Sequence, residues 1–193
     1  MRNFAQKLLG CQLTTQHMLR AICVVVLSNL AAVNVQAADH AISMIGDLQH
    51  PPNFEKYSYT ENRVQRDGEL TEAKVGSFDN INPFTIRGAV AHNIRENIFE
   101  SLMSRNMNAP FSLYGLLAEK LSVNSERSRI SFRLNEQAKF SDGKAVRVED
   151  VIYSWKVLGD QGRPNHRYYY QQVLSAEKTG PRDITFTFKG PPF

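Results

Sequence analysis

The chain has 193 residues, of which 42% are hydrophobic and 22% are charged, a composition that excludes a disordered or a fibrous protein. Its formal net charge is +4, but residues 1–37 hold three of the 23 bases and none of the 19 acids, so the remainder is close to neutral. Because phosphate binding requires a concentrated basic face, this balance argues against nucleic acid as a partner.

The first 37 residues have the parts of a cleavable export signal. Basic residues precede an apolar run at 21–33, and small or aliphatic side chains lead up to Ala37. We predict cleavage between Ala37 and Ala38. The apolar run is shorter than the ~20 residues that a membrane-spanning helix needs, although a retained amino-terminal anchor is the alternative. Both cysteines lie in this segment, so we expect the exported protein to fold without disulfides.

The polar stretch that follows, residues 38–70, is predicted to be an extended arm that aromatic rings attach to the rest of the protein. These rings are Phe54, Tyr57 and Tyr59. Residues 69–76 have the composition of a short strand. Residues 77–84 are rich in turn-forming side chains, so the chain is expected to bend there.

Apolar periodicity in the middle of the chain predicts the next elements. Apolar side chains recur at every fourth position from Val90 to Leu102, which predicts a helix over about residues 89–103. Residues 112–121 are predicted to be helical or at least compact. Residues 129–134, with the sequence RISFRL, alternate apolar and polar side chains as a half-buried strand does.

The sequence FSDGKAVRVEDV, residues 140–151, predicts a tight turn and then a helix. Asp can bond to the backbone two residues further on, and Gly143 tolerates a positive φ. The helix is predicted over residues 148–158, because Glu149 and Asp150 then lie in its first turn, where the helix dipole favours negative charge. Further on, the sequence GPRD at 180–183 predicts a turn that joins two strands.

The acids of this segment, Asp142, Glu149 and Asp150, are the candidates for catalysis. A glycosidase needs two acids that face one cleft, whereas each of these acids has a complete structural explanation in a turn or at a helix start. The sequence also lacks the motifs of a serine nucleophile, a phosphate-binding loop and a zinc protease. We therefore predict a protein that is not an enzyme.

The histidines after residue 37 are scattered without metal-ligand spacing, so we predict no metal site and no cofactor. One alternative depends on export. Cleavage before Ala38 would expose the sequence Ala-Asp-His, in which an amine, two amides and the imidazole of His40 could hold Cu(II) or Ni(II). Separately, three consecutive tyrosines at 168–170 could present a ring to a ligand or pack in the core.

The segment FRLNEQAKFSDGKAVRVEDVIYSW, residues 132–155, combines a strand, an F-x-D-G turn and a helix that opens with V-E-D-V. In this order the elements resemble the signature of the family 5 extracellular solute-binding proteins of ABC transporters, in which the helix usually opens with A-E-D-V. Two upstream stretches agree with the resemblance. FDNINPFTIRG (78–88) is similar to the family's LDP segment, and IFESLM (98–103) with GLLAEKL (115–121) is similar to the two blocks that follow it.

A further block, GRPNHRYYYQQV (162–173), is most similar to the oligopeptide-binding branch of that family. One departure is ENRVQRDGEL (61–70), which stands where this branch has a segment rich in Pro and Gly. The departure leaves the conformation of the predicted arm open, and the ordered blocks still indicate membership.

The resemblance implies an α/β fold of the type II periplasmic binding protein kind, with two lobes around a cleft. Family members are considerably longer, so we expect residues 71–193 to form part of lobe I and the chain to be an amino-terminal fragment. The implied function is that of a monomeric periplasmic receptor that captures an oligopeptide, closes by a hinge and delivers the peptide to an inner-membrane ABC permease. The alternatives are a secreted hydrolase and a truncated fragment without function.

The resemblance also places a peptide contact just after the LDP-like turn, at Ile86, Arg87, Gly88 and Ala89. Physical arguments support this site, because Gly88 has no side chain to keep a ligand backbone away and the N–H groups that open the predicted helix near Ala89 are free to bind acceptors. The guanidinium of Arg87 could bind a ligand carboxylate or form a surface ion pair. A ring from the tyrosine triplet is predicted to form the cleft wall, and its candidates are Tyr168, Tyr169 and Tyr170.

An incomplete lobe has a consequence for stability. The strand ITFTF, residues 184–188, is expected to be an edge without neighbours, which exposes unpaired N–H and C=O groups. Residues 39–193 alone are therefore expected to be poorly stable and to bind no peptide tightly.

Overall fold

The structure is a computed structural model that describes residues 39–60 and 68–190. The predicted export signal lies outside the described residues. Both helices and strands are present, so the predicted α/β class is confirmed. In chain order the elements are β1 (Ala41–Ser43), α1 (Ile94–Ile98), β2 (Met103–Asn106), β3 (Ala109–Gly115), β4 (Ala118–Val123), β5 (Arg129–Leu134), α2 (Val148–Gln161), α3 (Pro164–Tyr170), β6 (Val173–Lys178) and β7 (Asp183–Phe188).

A four-stranded antiparallel sheet carries the hydrophobic core. Its strand order is β4-β5-β7-β6, and Phe132 of β5 lies opposite Ile184 of β7. Inward-facing side chains of this sheet pack with Val148 at the start of α2, and α2 adds Val151 and Trp155 at the margin of the core. The buried members of the cluster are Ala118, Leu121, Phe132, Leu134, Val148, Ile184 and Phe186.

A three-stranded antiparallel sheet, in the order β1-β3-β2, is organised around Tyr114. The Tyr114 side chain is fully buried, and its hydroxyl oxygen accepts hydrogen bonds from the backbone N–H groups of Gln49 at 3.0 Å and His50 at 3.2 Å. The rings of Phe54 and Tyr57 pack edge-on against Tyr114, with centroids 5.0 Å and 5.8 Å away. The described part of segment 38–70 is therefore attached by its aromatic rings, and it also contributes β1 to the sheet.

The prediction of a strand at residues 69–76 is wrong, because no strand in the described part of the chain pairs with this segment. Its apolar side chains are solvent-exposed, as the 83% exposure of Leu70 illustrates. The prediction of a helix over residues 89–103 has both ends wrong. Helix α1 holds only the five residues Ile94–Ile98, and strand β2 begins at Met103. Residues 89–91 are instead bonded to an earlier loop, with the Ala91 N–H donating to the Asn80 carbonyl oxygen at 3.2 Å.

Residues 112–121 are not helical but contain the end of β3 and the start of β4, so the compact alternative is correct. The pattern of burial in β3 explains this outcome, because Ser112 and Tyr114 point to the buried face and alternate with more exposed neighbours. The expectation that residues 184–188 form an edge is also wrong. Strand β7 lies between β5 and β6 and is hydrogen-bonded on both sides.

Three local predictions are confirmed, namely strand β5, the hairpin between β6 and β7, and the turn followed by helix α2. In the turn, Gly143 has a φ of 86° and the Lys144 N–H donates to the Asp142 carboxylate at 3.1 Å. At the start of α2, the Asp150 carboxylate accepts a hydrogen bond from the Arg147 N–H at 2.8 Å. Helix α3 was not predicted, although Pro164 at its first position is a typical helix start.

Candidate ligand-binding face

The loop that carries the predicted contact residues is fixed by the Asp79 carboxylate. Oδ1 of Asp79 accepts hydrogen bonds from the Asn80 side chain at 2.8 Å and from the Ala89 backbone N–H at 2.9 Å. Gly88 has a φ of +95°, and a Cβ atom at this position would lie 2.5 Å from that same oxygen. The glycine is therefore required by the loop itself, because a side chain would collide with the carboxylate that closes it.

The Ala89 N–H is not free to bind a ligand, contrary to the prediction. Helix α1 begins at Ile94, so the N–H of Ala89 does not open a helix, and it is already bonded to Asp79. The side chains of Ile86 and Arg87 are nevertheless exposed, and Ile86 is 62% accessible. Within the described part of the chain Arg87 forms neither a hydrogen bond nor an ion pair. Ligand contact through residues 86–89 thus stays a prediction that rests on exposed side chains.

The three tyrosines of helix α3 have different surroundings. Tyr168 and Tyr169 are 59% and 69% exposed, and their ring centroids are 5.3 Å apart in an edge-to-face arrangement. Tyr170 is half-buried against α2, where its carbonyl oxygen accepts a hydrogen bond from the Trp155 indole N–H at 3.2 Å. Two of the predicted rings are therefore available to a ligand, whereas the third attaches α3 to α2.

The structure brings the two predicted segments together at a contact that we call the loop–α3 junction, formed by Phe84, Thr85, Arg163 and His166. Nε of Arg163 donates a hydrogen bond to the Thr85 carbonyl oxygen at 2.9 Å. The Phe84 ring centroid lies 5.9 Å from that of His166 and 5.1 Å from that of Phe99. Arg87 lies two positions after Thr85, and Tyr168 lies two positions after His166. Both segments predicted to touch a ligand are therefore next to the junction in the sequence.

None of the four junction residues was singled out from the sequence. Their roles depend on a contact between residues 78 positions apart, which no local pattern reports. The only local signal was the block GRPNHR, which contains Arg163 and His166 within the part that resembles oligopeptide-binding proteins.

The junction has a positive electrostatic environment. His166 is 7% exposed, and burial together with the nearby guanidinium groups of Arg95 and Arg163 lowers the pKa of its imidazole. Its Nδ1 atom is buried and has no hydrogen-bond partner within the part that the structure describes. Arg95 stands over the Phe84 ring, with its guanidinium carbon 6.0 Å from the centroid.

The acids considered for catalysis are occupied by structural contacts. The Asp142 carboxylate pairs with the Lys144 ammonium at 2.7 Å, and that of Glu149 pairs with Lys178 at 2.5 Å. Hydrogen bonds from these lysines lower the pKa of both carboxyl groups, which is the opposite of the shift that a general acid needs. Asp150 caps α2, so the three acids serve the turn and the helix.

The described residues contain no group of three or more His, Cys, Asp or Glu side chains arranged to hold a metal ion. The amides considered for Cu(II) or Ni(II) are engaged elsewhere, since the Asp39 N–H donates to the Leu121 carbonyl oxygen at 2.6 Å and the His40 N–H to the Asp39 carboxylate at 2.7 Å. Across residues 39–60 and 68–190, no helix combines the length and the apolar composition needed to cross a bilayer.

An open polar cleft of about 400 Å³ lies elsewhere in the described chain, at residues 72–74 and 92–93. The Asn93 side chain donates to the Glu72 carboxylate across it, at 2.7 Å. Neither the predicted site residues nor the four residues of the loop–α3 junction line this cleft.

Comparison with known proteins identifies the family. The family model for bacterial extracellular solute-binding proteins, family 5, matches residues 112–193. Peptidoglycan-binding protein YepA of Agrobacterium fabrum is 40% identical over 156 residues, which are 77% of this chain and 25% of that protein. This chain belongs to the family 5 extracellular solute-binding proteins. The predicted family is thus confirmed.

Another relative of this family 5 protein carries the name "Probable peptide-binding protein YejA", also from Agrobacterium fabrum. It is 35% identical over 161 residues, which cover 82% of this chain and 26% of the relative. The chain spans about a quarter of the length of the curated relatives it matches.

The structure of NikA from Brucella suis in complex with Fe(III)-EDTA has a TM-score of 0.50 and 25% identity to this chain, and the match covers 57% of this chain and 22% of NikA. The fold of the family 5 protein is that of the type II periplasmic binding proteins, and the match corresponds to only part of such a protein, as predicted. Its relatives are solute-binding proteins, and the interpretation of the chain as a non-enzyme rests on that membership.

Proposed function

We propose that the chain is part of a monomeric periplasmic receptor that captures oligopeptides and delivers them to an inner-membrane ABC permease. Family membership and the name of the YejA relative support peptides as the ligand. The observation that carries the proposal is the loop–α3 junction, because the bond from Arg163 to Thr85 ties the segment with Ile86 to Ala89 to the helix with the exposed tyrosines. These segments were predicted separately as ligand contacts.

Each segment has a distinct role in this proposal. The exposed rings of Tyr168 and Tyr169 supply apolar area with a polar rim, a combination that suits peptides of mixed sequence. The exposed guanidinium of Arg87 supplies donors for peptide carbonyl or carboxylate groups, and the exposed side chain of Ile86 adds apolar area. An extended peptide offers main-chain hydrogen bonds independent of its sequence, so such a face can be general.

Export completes the proposal. Cleavage between Ala37 and Ala38 would release the protein into the periplasm, where a second lobe closes over the ligand and the closed form docks on the permease. Amino-terminal sequencing of secreted protein tests this step, and the expected first residue is Ala38. Recovery of the uncleaved chain from the cytoplasm would contradict it.

A second candidate ligand is a fragment of peptidoglycan, which contains both sugar rings and peptide. The name of the YepA relative favours it, and so do two adjacent exposed tyrosines, since aromatic faces pack against sugar rings. It differs from a plain peptide in one measurable way. A peptidoglycan receptor would prefer a muropeptide over the same peptide without its sugars.

The single tryptophan provides the test of ligand capture. Trp155 bonds to the carbonyl oxygen of Tyr170, so its fluorescence reports on helix α3. We expect short peptides of mixed sequence to change this fluorescence in a saturable way, and muropeptides, Fe(III)-EDTA and free sugars serve as the competing ligands. Saturation by the chelate or the sugar alone would overturn the oligopeptide proposal.

Matched variants locate the site. Replacement of both Tyr168 and Tyr169 by Ala is expected to weaken peptide binding by about tenfold or more, because each lost ring removes on the order of 1 kcal/mol. Tyr153→Ala is the control, since Tyr153 is also 69% exposed but lies on α2. Equal loss in both variants would exclude the α3 tyrosines as specific contacts.

A further inference from the structure

We propose that the loop–α3 junction binds a carboxylate of the ligand, held by Arg95 and Arg163 beside His166. The inference rests on the proposed function, because it assigns a chemical group to the ligand of the same face. It selects among peptides those with a free carboxyl terminus or an acidic side chain.

The geometry collects basic groups around one aromatic ring. The guanidinium of Arg95 stands 6.0 Å from the Phe84 centroid, and the imidazole of His166 lies 5.9 Å from the same centroid. Arg163 donates a hydrogen bond from Nε to the carbonyl oxygen of Thr85, the residue that follows Phe84. Its two terminal nitrogens form no hydrogen bond with described residues. Two guanidinium groups and a histidine, from α1, the start of α3 and α3 itself, therefore lie beside Phe84 and Thr85.

The two arginines have no counter-ion among the residues that the structure describes. Among the described residues, neither Arg95 nor Arg163 has a carboxylate oxygen within 4.0 Å, whereas Arg133 and Arg182 each have one. Burial, and then the charges of Arg95 and Arg163, lower the pKa of the His166 imidazole. Like charges close together and partly out of water are costly unless an anion joins them.

The imidazole gives an independent indication of a missing partner. His166 is only 7% exposed, and buried polar atoms are almost always hydrogen-bonded. Its Nδ1 has no such bond with any described residue. A carboxylate bound beside the arginines would raise the pKa of this ring, since a nearby anion favours the charged imidazole.

Three probes separate carboxylate recognition from peptide recognition. They are acetyl-Ala-Ala-Ala with a free carboxyl terminus, the same peptide as the carboxyl-terminal amide, and acetate. We expect the free acid to bind the 193-residue chain about fivefold to tenfold more tightly than the amide, as charge-assisted hydrogen bonds to arginine allow. An amide peptide with one internal Glu, compared with its Gln counterpart, distinguishes a side-chain carboxylate from the terminal one.

The pKa of His166, followed by NMR of its ring protons, is the second readout. We expect the free acid to raise this pKa and the amide to leave it unchanged. This readout is local to the junction, so binding elsewhere on the chain would not reproduce it. It also detects weak binding.

Arg95→Gln is the variant, because Arg95 is exposed and its side chain forms no hydrogen bond with described residues, so the contact that the substitution removes is the one with the Phe84 ring. It is expected to reduce the preference for the free acid to about twofold or less. Arg129→Gln is the matched control, since Arg129 is exposed on β5. Unchanged preference in Arg95→Gln would overturn the proposal.

The remaining outcomes separate this inference from the proposed function. Equal binding of acid and amide with no change in the pKa of His166 would overturn the carboxylate site while peptide capture stands. A rise of that pKa with acetate, without binding of either peptide, would support the carboxylate site and contradict oligopeptide capture. Binding of none of the probes, with no change in that pKa, would overturn the carboxylate site.

Discussion

Arg163 donates its Nε–H to the carbonyl oxygen of Thr85 over 2.9 Å, across 78 positions of the sequence. This bond joins the start of α3 to the loop that contains Ile86 and Arg87, and Phe84 and His166 pack beside it. The donor is charged and partly buried, so the bond is stronger than an exposed contact between neutral groups. The two segments predicted to touch a ligand therefore depend on one another for position.

The first prediction concerns this bond. Arg163→Ala is expected to lower the free energy of unfolding by about 1 to 2 kcal/mol, because it removes a charge-assisted hydrogen bond and leaves the Thr85 carbonyl without its donor. Amide hydrogen exchange is expected to accelerate in residues 84–89 and not in strand β5. Arg167→Ala is the control, since Arg167 is exposed on the same helix. Unchanged exchange in the loop would show that the bond does not hold it.

A second prediction compares two glycines with similar backbone angles. Gly88 and Gly143 have φ of +95° and +86°, but an added Cβ would collide with the Asp79 carboxylate only at Gly88. Gly143→Ala is expected to cost about 1 to 2 kcal/mol for the backbone conformation alone. Gly88→Ala is expected to cost more, because Asp79 must also release its bonds to Asn80 and Ala89.

The measurement is the free energy of unfolding of each variant in urea. The Asp79→Ala background removes the closest collision and leaves Asn80, whose side-chain nitrogen would lie 2.7 Å from the added Cβ and no longer be held by Asp79. The additional cost of Gly88→Ala is therefore expected to shrink toward that of Gly143→Ala. Equal costs for the two glycines in the unmodified chain would contradict the role of Asp79. This result also bears on ligand binding, since a bulky residue at Gly88 would disturb the loop before it tested any contact with peptide.

Elements governed by neighbouring residues could be predicted from the sequence. Strand β5 follows from alternation, and α2 follows from the turn at Gly143 with Asp150 as a cap, contacts that span only a few residues. The helix predicted over 89–103 failed because Val90 forms a bridge with Asn80, a contact from outside the window of periodicity. Likewise, the central position of β7 depends on its pairing with β5, some fifty residues earlier.

For the candidate site too, contacts between residues distant in the sequence could not be predicted. Residues 86–89 and the tyrosines came from a resemblance to known sequence blocks, which carries information that local physics does not. The junction between them could not be predicted, because Phe84 and His166 are far apart in the sequence and are brought together only by the tertiary fold. Tyr170 illustrates the limit for a single residue, since its partner Trp155 is on a different helix and decides that Tyr170 faces α2.

The third prediction concerns Tyr114. Tyr114→Phe keeps the ring contacts with Phe54 and Tyr57 but removes the oxygen that accepts hydrogen bonds from Gln49 and His50. We expect a loss of about 1 to 3 kcal/mol in the free energy of unfolding, because the two N–H groups lose their acceptor and one of these bonds is buried.

Tyr153→Phe is the control for this variant, since the Tyr153 side chain is 69% exposed. Urea unfolding followed by Trp155 fluorescence provides the measurement. Amide exchange at Gln49 and His50 is expected to accelerate in Tyr114→Phe. If both variants unfold at the same urea concentration, the hydroxyl of Tyr114 does not anchor the segment with Gln49 and His50 that follows β1.

The last prediction concerns the pH dependence of stability at His166. Burial and the charges of Arg95 and Arg163 place the pKa of this imidazole below its ordinary value of 6.5. Between the two pKa values the unfolded chain binds more protons than the folded protein, so the free energy of unfolding falls as the pH drops below about 6.5 and levels off below the folded pKa.

His166→Leu is expected to remove this part of the pH dependence. Asp142 and Glu149 also have lowered pKa values, but their ordinary values of 3.8 and 4.5 confine their effect to more acidic solutions. Urea unfolding at a series of pH values is the measurement, and His92→Leu is the control because His92 is exposed. An identical slope near pH 6 in the His166→Leu variant and the unmodified chain would mean that the imidazole does not titrate in the buried, positively charged site that the junction forms.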